Sequence, residues 1–449
     1  MTAESIYQKT YFITTFGCQM NAHDSEKLAG ILNGMGYRPA EDEHAADLVV
    51  YNTCCIRENA ENRVLGNLGY LKHIKKKHPN KLVAVGGCMP QQDGAAKRLA
   101  ATGAVDILFG TFNLHRFGEL LERRVVTGET VSEVWEKPNG LDDGYMNAFR
   151  ENPYRSGVNI MYGCDNFCSY CVVPKVRGRE RSRRPEDIIA EIETLVSGGV
   201  KDITLLGQNV NSYGQKPEPT GVDFPSLLNL VARLEPAPKR LRFMTSHPKD
   251  LSPALIRTIA ENDNVCKHIH LPVQSGSSRV LELMNRKYTR EGYMSLITAL
   301  REAIPGIAIT TDIIIGFPGE TEEDFADTLR LVREARFNGA FTFLYSKRSG
   351  TKAAEMPGQV PKDIANERFQ RLLDAVNPIV LERGKEQENR TLHVLAEKEE
   401  DGVFTGRADN NALVHFKCGG QESPLGKIVP VKITQAKTFF LLGEGEAAQ

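Results

Sequence analysis

The chain has 449 residues, enough for two or three domains, and its 41% hydrophobic and 25% charged residues are those of an ordinary globular protein. A formal net charge of −1 excludes a global basic footprint, so any nucleic-acid contact must come from local patches. The opening MTAESIYQKT has no basic stretch leading into an apolar one, and runs such as DIIIGF (312–317) are too short to cross a bilayer. No secretory signal and no membrane span are expected, and cytosol is the expected setting. The nine cysteines then point to metal or catalysis rather than disulfides.

In chain order, TYFITTFGC (10–18), ADLVVYNTC (46–54) and KLVAVGGC (81–88) each run as a short β-rich apolar segment ending in a cysteine. DSEKLAGILNGMGY between the first two has apolar residues at helical spacing and glycines near its end. An open parallel α/β sheet is predicted. Because ligands of such sheets lie beyond the carboxyl ends of strands, Cys18, Cys54 and Cys88 are expected to collect on one edge. Residues 112–150, with Trp135 and the loop KPNGLDDG, read as an irregular linker.

From about 150 to 385, strands are predicted at 156–162, 201–207, 240–246, 267–273, 307–315 and 339–345. Amphipathic helices fall between them; PEDIIAEIETLVSGG has Pro185 for the first turn and Glu186 and Asp187 at the positive dipole end. Six strand-helix units predict a partial (β/α)6 barrel, whose chemistry sits at the carboxyl ends of the strands. From about 388, short strand-like runs separated by DG, DNN and GG turns predict a small all-β barrel, an architecture that often binds nucleic acid.

Directly after the first barrel strand stands GCDNFCSYC (163–171), with Cys164, Cys168 and Cys171 and no fourth cysteine before Cys266. Zinc sites pair cysteines as C-x2-C and complete a tetrahedron, which this spacing fits poorly. Three close thiolates suit three corners of a four-iron cubane, leaving the fourth iron open to a non-protein ligand. Phe167 and Tyr170 between the cysteines are expected to shield it from water.

C-x3-C-x2-C after a first barrel strand resembles the signature of radical S-adenosylmethionine enzymes, in which adenosylmethionine chelates the open iron and is cleaved to a 5′-deoxyadenosyl radical. TFGCQMNAHDSE, YNTCCIRENAENR and VGGCMPQ are similar to the N-terminal domain of methylthiotransferases. GCDNFCSYCVVPKVRGRERSR, LLGQNVNSYG, HLPVQSGSSRVLELMNRKYTREGY and IIGFPGET resemble the radical domain, and the last barrel, with GRADNN, resembles the TRAM RNA-binding module. The combination is most similar to the bacterial MiaB-type tRNA methylthiotransferases. VVPKVRGRE departs from the pattern at Lys175 and Val176, where an aromatic residue and a threonine are expected.

The resemblance implies three domains: 1–148, the methylthiotransferase domain with its linker; 149–386, the radical domain; and 387–449, the TRAM-like barrel. It implies a radical-generating [4Fe–4S] cluster on Cys164, Cys168 and Cys171, and a second on Cys18, Cys54 and Cys88 whose open iron carries the sulfur. The implied reaction adds a methylthio group to C2 of N6-isopentenyladenosine at position 37 of tRNA, with adenosylmethionine as radical source and methyl donor. Threonylcarbamoyladenosine tRNA or a ribosomal protein is the alternative substrate, and a non-catalytic iron-sulfur RNA-binding redox sensor the alternative class. Gly207, Gln208, Asn209, Gln274, Ser275 and Gly276 are candidates for adenosylmethionine contacts, although the first three also read as a plain strand-to-loop turn.

FPGET combines a Pro-Gly turn with a helix cap, Thr321 with Asp324 three residues on. Arg57, Arg63, Arg177, Arg179, Arg181, Arg183 and Arg184 are candidates for RNA phosphate contacts, against the competing reading of ion pairs on a solvated face. Cys55, Cys266 and Cys418 read as bystanders, and His247 and His270 are given no role. The implied partners are a tRNA anticodon stem-loop, a low-potential electron donor such as flavodoxin or ferredoxin, and a sulfur donor or cluster carrier.

Overall fold

The computed structural model describes residues 8–55, 58–138, 148–150, 152–215, 221–419 and 422–446, the side chains of 58–60 excepted. The chain divides into two units. The first joins Met1–Glu151 to Tyr162–Asp165 and Cys171–Glu180; the second comprises Asn152–Met161, Asn166–Tyr170 and Arg181–Gln449. Among the described residues no helix is long and apolar enough to cross a membrane.

In the first unit a six-stranded parallel sheet runs in the order Arg38–Pro39, Thr10–Thr15, Leu48–Thr53, Leu82–Gly87, Ile107–Phe109, Val131–Glu133. Its central strand LVVYNT is buried at every position, as a parallel strand covered on both faces must be. Leu48 and Val50 pack with Leu28, Leu32 and Phe117 on one face. Val49 and Tyr51 pack with Val64, Leu68 and Leu71 on the other.

The linker predicted over 112–150 is corrected by this sheet. Residues 114–133 form a 3-10 turn, the helix Phe117–Thr127 and the edge strand Val131–Glu133. Phe117, Leu120 and Leu121, buried at i, i+3 and i+4, tie that helix to the core. Most of KPNGLDDG lies outside the described residues.

The second unit holds the six predicted barrel strands, all parallel. Arg155–Asn159, Asp202–Leu206 and Arg240–Phe243 form one sheet, and His268–His270, Ala308–Ile315 and Gly339–Leu344 another. A single parallel bridge, Leu241 to Val265, joins them into an incomplete barrel. The helices begin where capping chemistry directs: Asp223, Ser252 and Thr289 each accept a backbone N–H of the first turn. Thr321 and Asp324 form the reciprocal capping box read from FPGET.

After the long helix Lys362–Lys385, five strands close into a barrel in the order 391–400, 403–408, 413–418, 441–445, 428–436. It is docked at the amino-terminal ends of the partial barrel's strands. Arg240 donates to the carbonyls of Arg407 and His393. Arg242 pairs with Asp202 and donates to the carbonyls of Asp409 (3.0 Å) and Ala408 (2.8 Å).

Candidate functional site

The strands ending at Thr15, Thr53 and Gly87 lie side by side, so the cysteines that follow them leave one edge of the first unit's sheet together. Cys18 opens the helix Gln19–Gly34, while Cys54, Cys55 and Cys88 are buried. Gly17, at φ +126°, crosses directly over Cys54: a Cβ there would stand 2.7 Å from the Cys54 Cβ and 3.1 Å from its sulfur, so only glycine fits.

Asn21, wholly buried, binds these ends together. Its Nδ2 donates to the carbonyls of Phe16 (3.0 Å) and Thr53 (2.9 Å). Its Oδ1 accepts from the thiols of Cys18 (3.6 Å) and Cys88 (4.0 Å). Sequence reading missed this residue, although it stands inside the quoted segment TFGCQMNAHDSE.

Arg177 is the second organiser of this edge. Buried, it donates through Nη2 to Asn21 Oδ1 (2.9 Å) and to Asp24 Oδ2 (2.7 Å). The hydrogen bond from the Cys55 thiol, reinforced by the Arg177 cation, holds the Cys88 thiol down to about 6 despite its burial. Cys55, read as a bystander, therefore packs against Cys88, together with Val172 and Val176. Among the described residues no three Cys, His, Asp or Glu side chains form a closed metal-ligand group. The fit to a cluster rests on the donor set: three thiols from adjacent strand ends, with a cation and an amide aimed at them.

The GCDNFCSYC loop is shared between the units, with Cys164 and Cys171 in the first and Cys168 in the second. In the first, Cys164 N donates to Gly178 O (3.1 Å), and Asp165 Oδ1 accepts from Arg179 Nε (2.6 Å) and Glu180 N (3.2 Å). In the second, Arg286 Nη1 donates to Cys168 Sγ (3.3 Å). Arg286 is itself buried, with Nη2 on Pro272 O (3.0 Å) and Nε on the Tyr288 hydroxyl (2.8 Å). It too was missed within the quoted run MNRKYTREGY. Tyr170 packs edge-on against Phe317, whereas Phe167 is exposed at φ +47°.

The other candidate contacts are held by the scaffold to different degrees. Asn209 is consumed by Ser212, Asp250 and the His247 amide. Ser275 and Gly276 close onto Thr328, where a Cβ on Gly276 would stand 2.5 Å from the Thr328 Cα. Gly207 is tight against Met161, and Gln208 is half-buried beside it. Gln274 holds φ +72°, with its backbone bonded to Asp312 and Ile314.

Glu320, in FPGET, is buried. One carboxylate oxygen accepts from Gly316 N and Arg368 Nη1, and the other has no partner among the described residues. Burial raises its carboxyl to about 7. His247 stays neutral, driven down to about 2 by burial, and accepts from Lys249 N.

Three family models match the chain: the Uncharacterized protein family UPF0004 over residues 10–110, the Radical SAM superfamily over 158–332, and the TRAM domain over 385–444. A tRNA-2-methylthio-N(6)-dimethylallyladenosine synthase of Caldicellulosiruptor saccharolyticus is 52% identical over 97% of this chain and 92% of its own. One of the same name from Clostridium perfringens is 51% identical over 99% of both. The chain belongs to the tRNA-2-methylthio-N(6)-dimethylallyladenosine synthase family. Among solved structures, the radical S-adenosylmethionine methyltransferase TsrM of Kitasatospora setae has a similar fold at 14% identity. Its TM-score is 0.54, over 89% of this chain and 77% of that one.

In this synthase-family chain the candidate RNA arginines do not act as a set. Arg177 and Arg183 are both buried and paired, Arg177 with Asp24 and Arg183 with Glu191 (2.8 Å) and the Asn159 carbonyl. Arg179 and Arg184 are 70% and 71% exposed and paired with Asp165 and Asp187, a surface arrangement that RNA can displace cheaply. Arg181 is half-buried and Arg63 exposed, while Arg57 lies outside the described residues.

Proposed function

We propose that the chain adds a methylthio group to C2 of N6-isopentenyladenosine at position 37 of tRNA, next to the anticodon, with S-adenosylmethionine as radical source and methyl donor. The observation that carries this reading is identity near 50% over almost the whole of both chains with relatives named for that product. Cys164, Cys168 and Cys171 would hold one [4Fe–4S] cluster, and Cys18, Cys54 and Cys88 a second. Bound there with adenosylmethionine, the clusters supply the radical and sulfur chemistry that an unactivated aromatic C–H demands and acid-base side chains lack.

The chain's own residues do the positioning. Arg286 aims a donor at Cys168, Asn21 ties the strand-end cysteines, and Arg177 offsets their charge. The closed five-stranded barrel offers a surface for the tRNA anticodon stem-loop. A low-potential flavodoxin or ferredoxin, a sulfur donor or cluster carrier, and a cytoplasmic setting complete the reading.

Anaerobic reconstitution tests it. About eight irons per chain, 5′-deoxyadenosine formation and methylthiolated nucleoside in digested tRNA are the expected results. Cys168→Ala is expected to abolish adenosylmethionine cleavage while retaining about four irons. Cleavage at the wild-type rate in that variant, or no change in the mass of the tRNA nucleoside, would overturn the assignment.

A further inference from the structure

The helix Glu58–Lys77 begins just after Cys54 and Cys55 and, at 20 residues, runs about 30 Å away from them. Val64, Leu68 and Leu71 bury its inner face against the sheet. The outer face carries Arg63, Tyr70 and Lys77 at seven-residue spacing, one stripe of the helix, with His73 between them. All four are exposed, and Lys72 and Lys76 flank the far end.

Residues 62–92 contain no Asp or Glu. Lys75 turns aside to pair with Asp106 at 2.5 Å, whereas Lys72, Lys76 and Lys77 have no ion pair among the described residues. A chain of net charge −1 thus keeps an uncompensated cationic strip on one helix. Helix-dipole complementarity accounts for lysines in the last turn, but not for the stripe that precedes it.

Two glycines sharpen the reading. Gly66 and Gly69 lie on the exposed side within this helix, and a Cβ at either would meet nothing within 4 Å. No packing calls for them, and alanine would make the more stable helix. Bare backbone beside cations is what a closely approaching phosphate chain needs. Tyr70, 48% exposed and held edge-to-face by His44, adds a flat surface midway for a ribose or an unpaired base.

We propose that this helix face is a docking track for the ribose-phosphate backbone of the tRNA, leading outward from the strand ends that carry Cys18, Cys54 and Cys88. The proposal rests on the tRNA reading of the function. It adds that the methylthiotransferase region, and not the terminal barrel alone, grips the RNA. Phosphate contacts of this kind fix register without reading sequence.

The test uses the reconstituted full chain and full-length isopentenylated tRNA, with affinity followed by fluorescence anisotropy across a salt series. K72E/K76E/K77E is expected to weaken binding about tenfold or more and to lower the salt slope by roughly 2–3, one unit per lost phosphate contact. KM should rise while kcat stays unchanged. Gly66→Ala with Gly69→Ala should raise the thermal midpoint yet weaken tRNA binding, opposite signs that a purely structural role cannot produce. Unaltered affinity and slope in the lysine variant would overturn the proposal. So would a loss confined to an acidic protein probe such as flavodoxin, which would make the strip a protein dock. If the wild type neither binds nor methylthiolates tRNA, the reading of the function fails first and the track with it.

Discussion

Replacing Arg177 by methionine separates a structural clamp from an RNA contact. The guanidinium is buried, and Nη2 reaches both Asp24 Oδ2 at 2.7 Å and Asn21 Oδ1 at 2.9 Å. Methionine keeps most of the volume but leaves the Asp24 carboxylate, 5% exposed, without its counter-charge. Breaking such a buried pair from one side costs about 3–5 kcal/mol. For a unit of this size that lowers the melting point by roughly 6–20 °C.

Removing both partners, as Arg177→Met with Asp24→Leu, should recover most of the loss, because no buried charge is then left unpaired. The assay is thermal unfolding of the cluster-free chain, with hydrogen exchange assigning the melting amides to the first unit. A single variant melting within about 2 °C of wild type, or a double variant no better than the single, would refute the clamp.

Arg242→Met should act likewise in the second unit. It leaves Asp202, 1% exposed, unpaired and removes two donors from the terminal barrel, so faster hydrogen exchange is expected around 407–410. Gly17→Ala forces a Cβ to 2.7 Å from the Cys54 Cβ at φ +126°, and loss of about half the reconstituted iron is expected. Gly34→Ala, in open space, should be neutral or stabilising.

Glu320 gives a pH signature. Its carboxyl lies at about 7 in the fold against 4.5 ordinarily, so the folded state holds the proton more tightly. Stability is then lost as pH rises from about 4.5 through 7, on the order of 3 kcal/mol, and Glu320→Gln should flatten that slope in melts taken across the range.

The barrel strands and the three cysteine-ending strands were legible because continuous β-branched runs and turn residues mark buried parallel strands. The edge of the first sheet was not. Val131–Glu133 is three residues long, too short for any period to show, and its pairing to Ile107–Phe109 is a tertiary fact. RGRERSRR was hard to read for another reason. Composition locates five arginines, yet whether Arg177 and Arg183 turn inward depends on Asp24, far off in the chain, and on Glu191, eight residues on. Asn21 and Arg286 sat inside quoted motifs without being singled out, because an amide or a cation gains meaning only from the thiol it faces.

That dependence sorts the cysteines more sharply than spacing does. Cys266 is buried near Arg240 and Arg242, but those guanidiniums spend their donors on Asp202 and on carbonyls of the terminal barrel. Burial therefore wins, and the Cys266 thiol is pushed up to about 12. At Cys88 the outcome differs, since the Cys55 thiol donates to its sulfur and the Arg177 cation lies beside it; at Cys168, Arg286 Nη1 donates to the sulfur at 3.3 Å. A buried guanidinium is costly to desolvate, and pointing one at a sulfur makes physical sense where that sulfur carries negative charge. A guanidinium faces Cys168 and another lies beside Cys88, whereas those near Cys266 give their donors to other partners, so the donors around a sulfur, rather than the mere proximity of arginine, tell these cysteines apart.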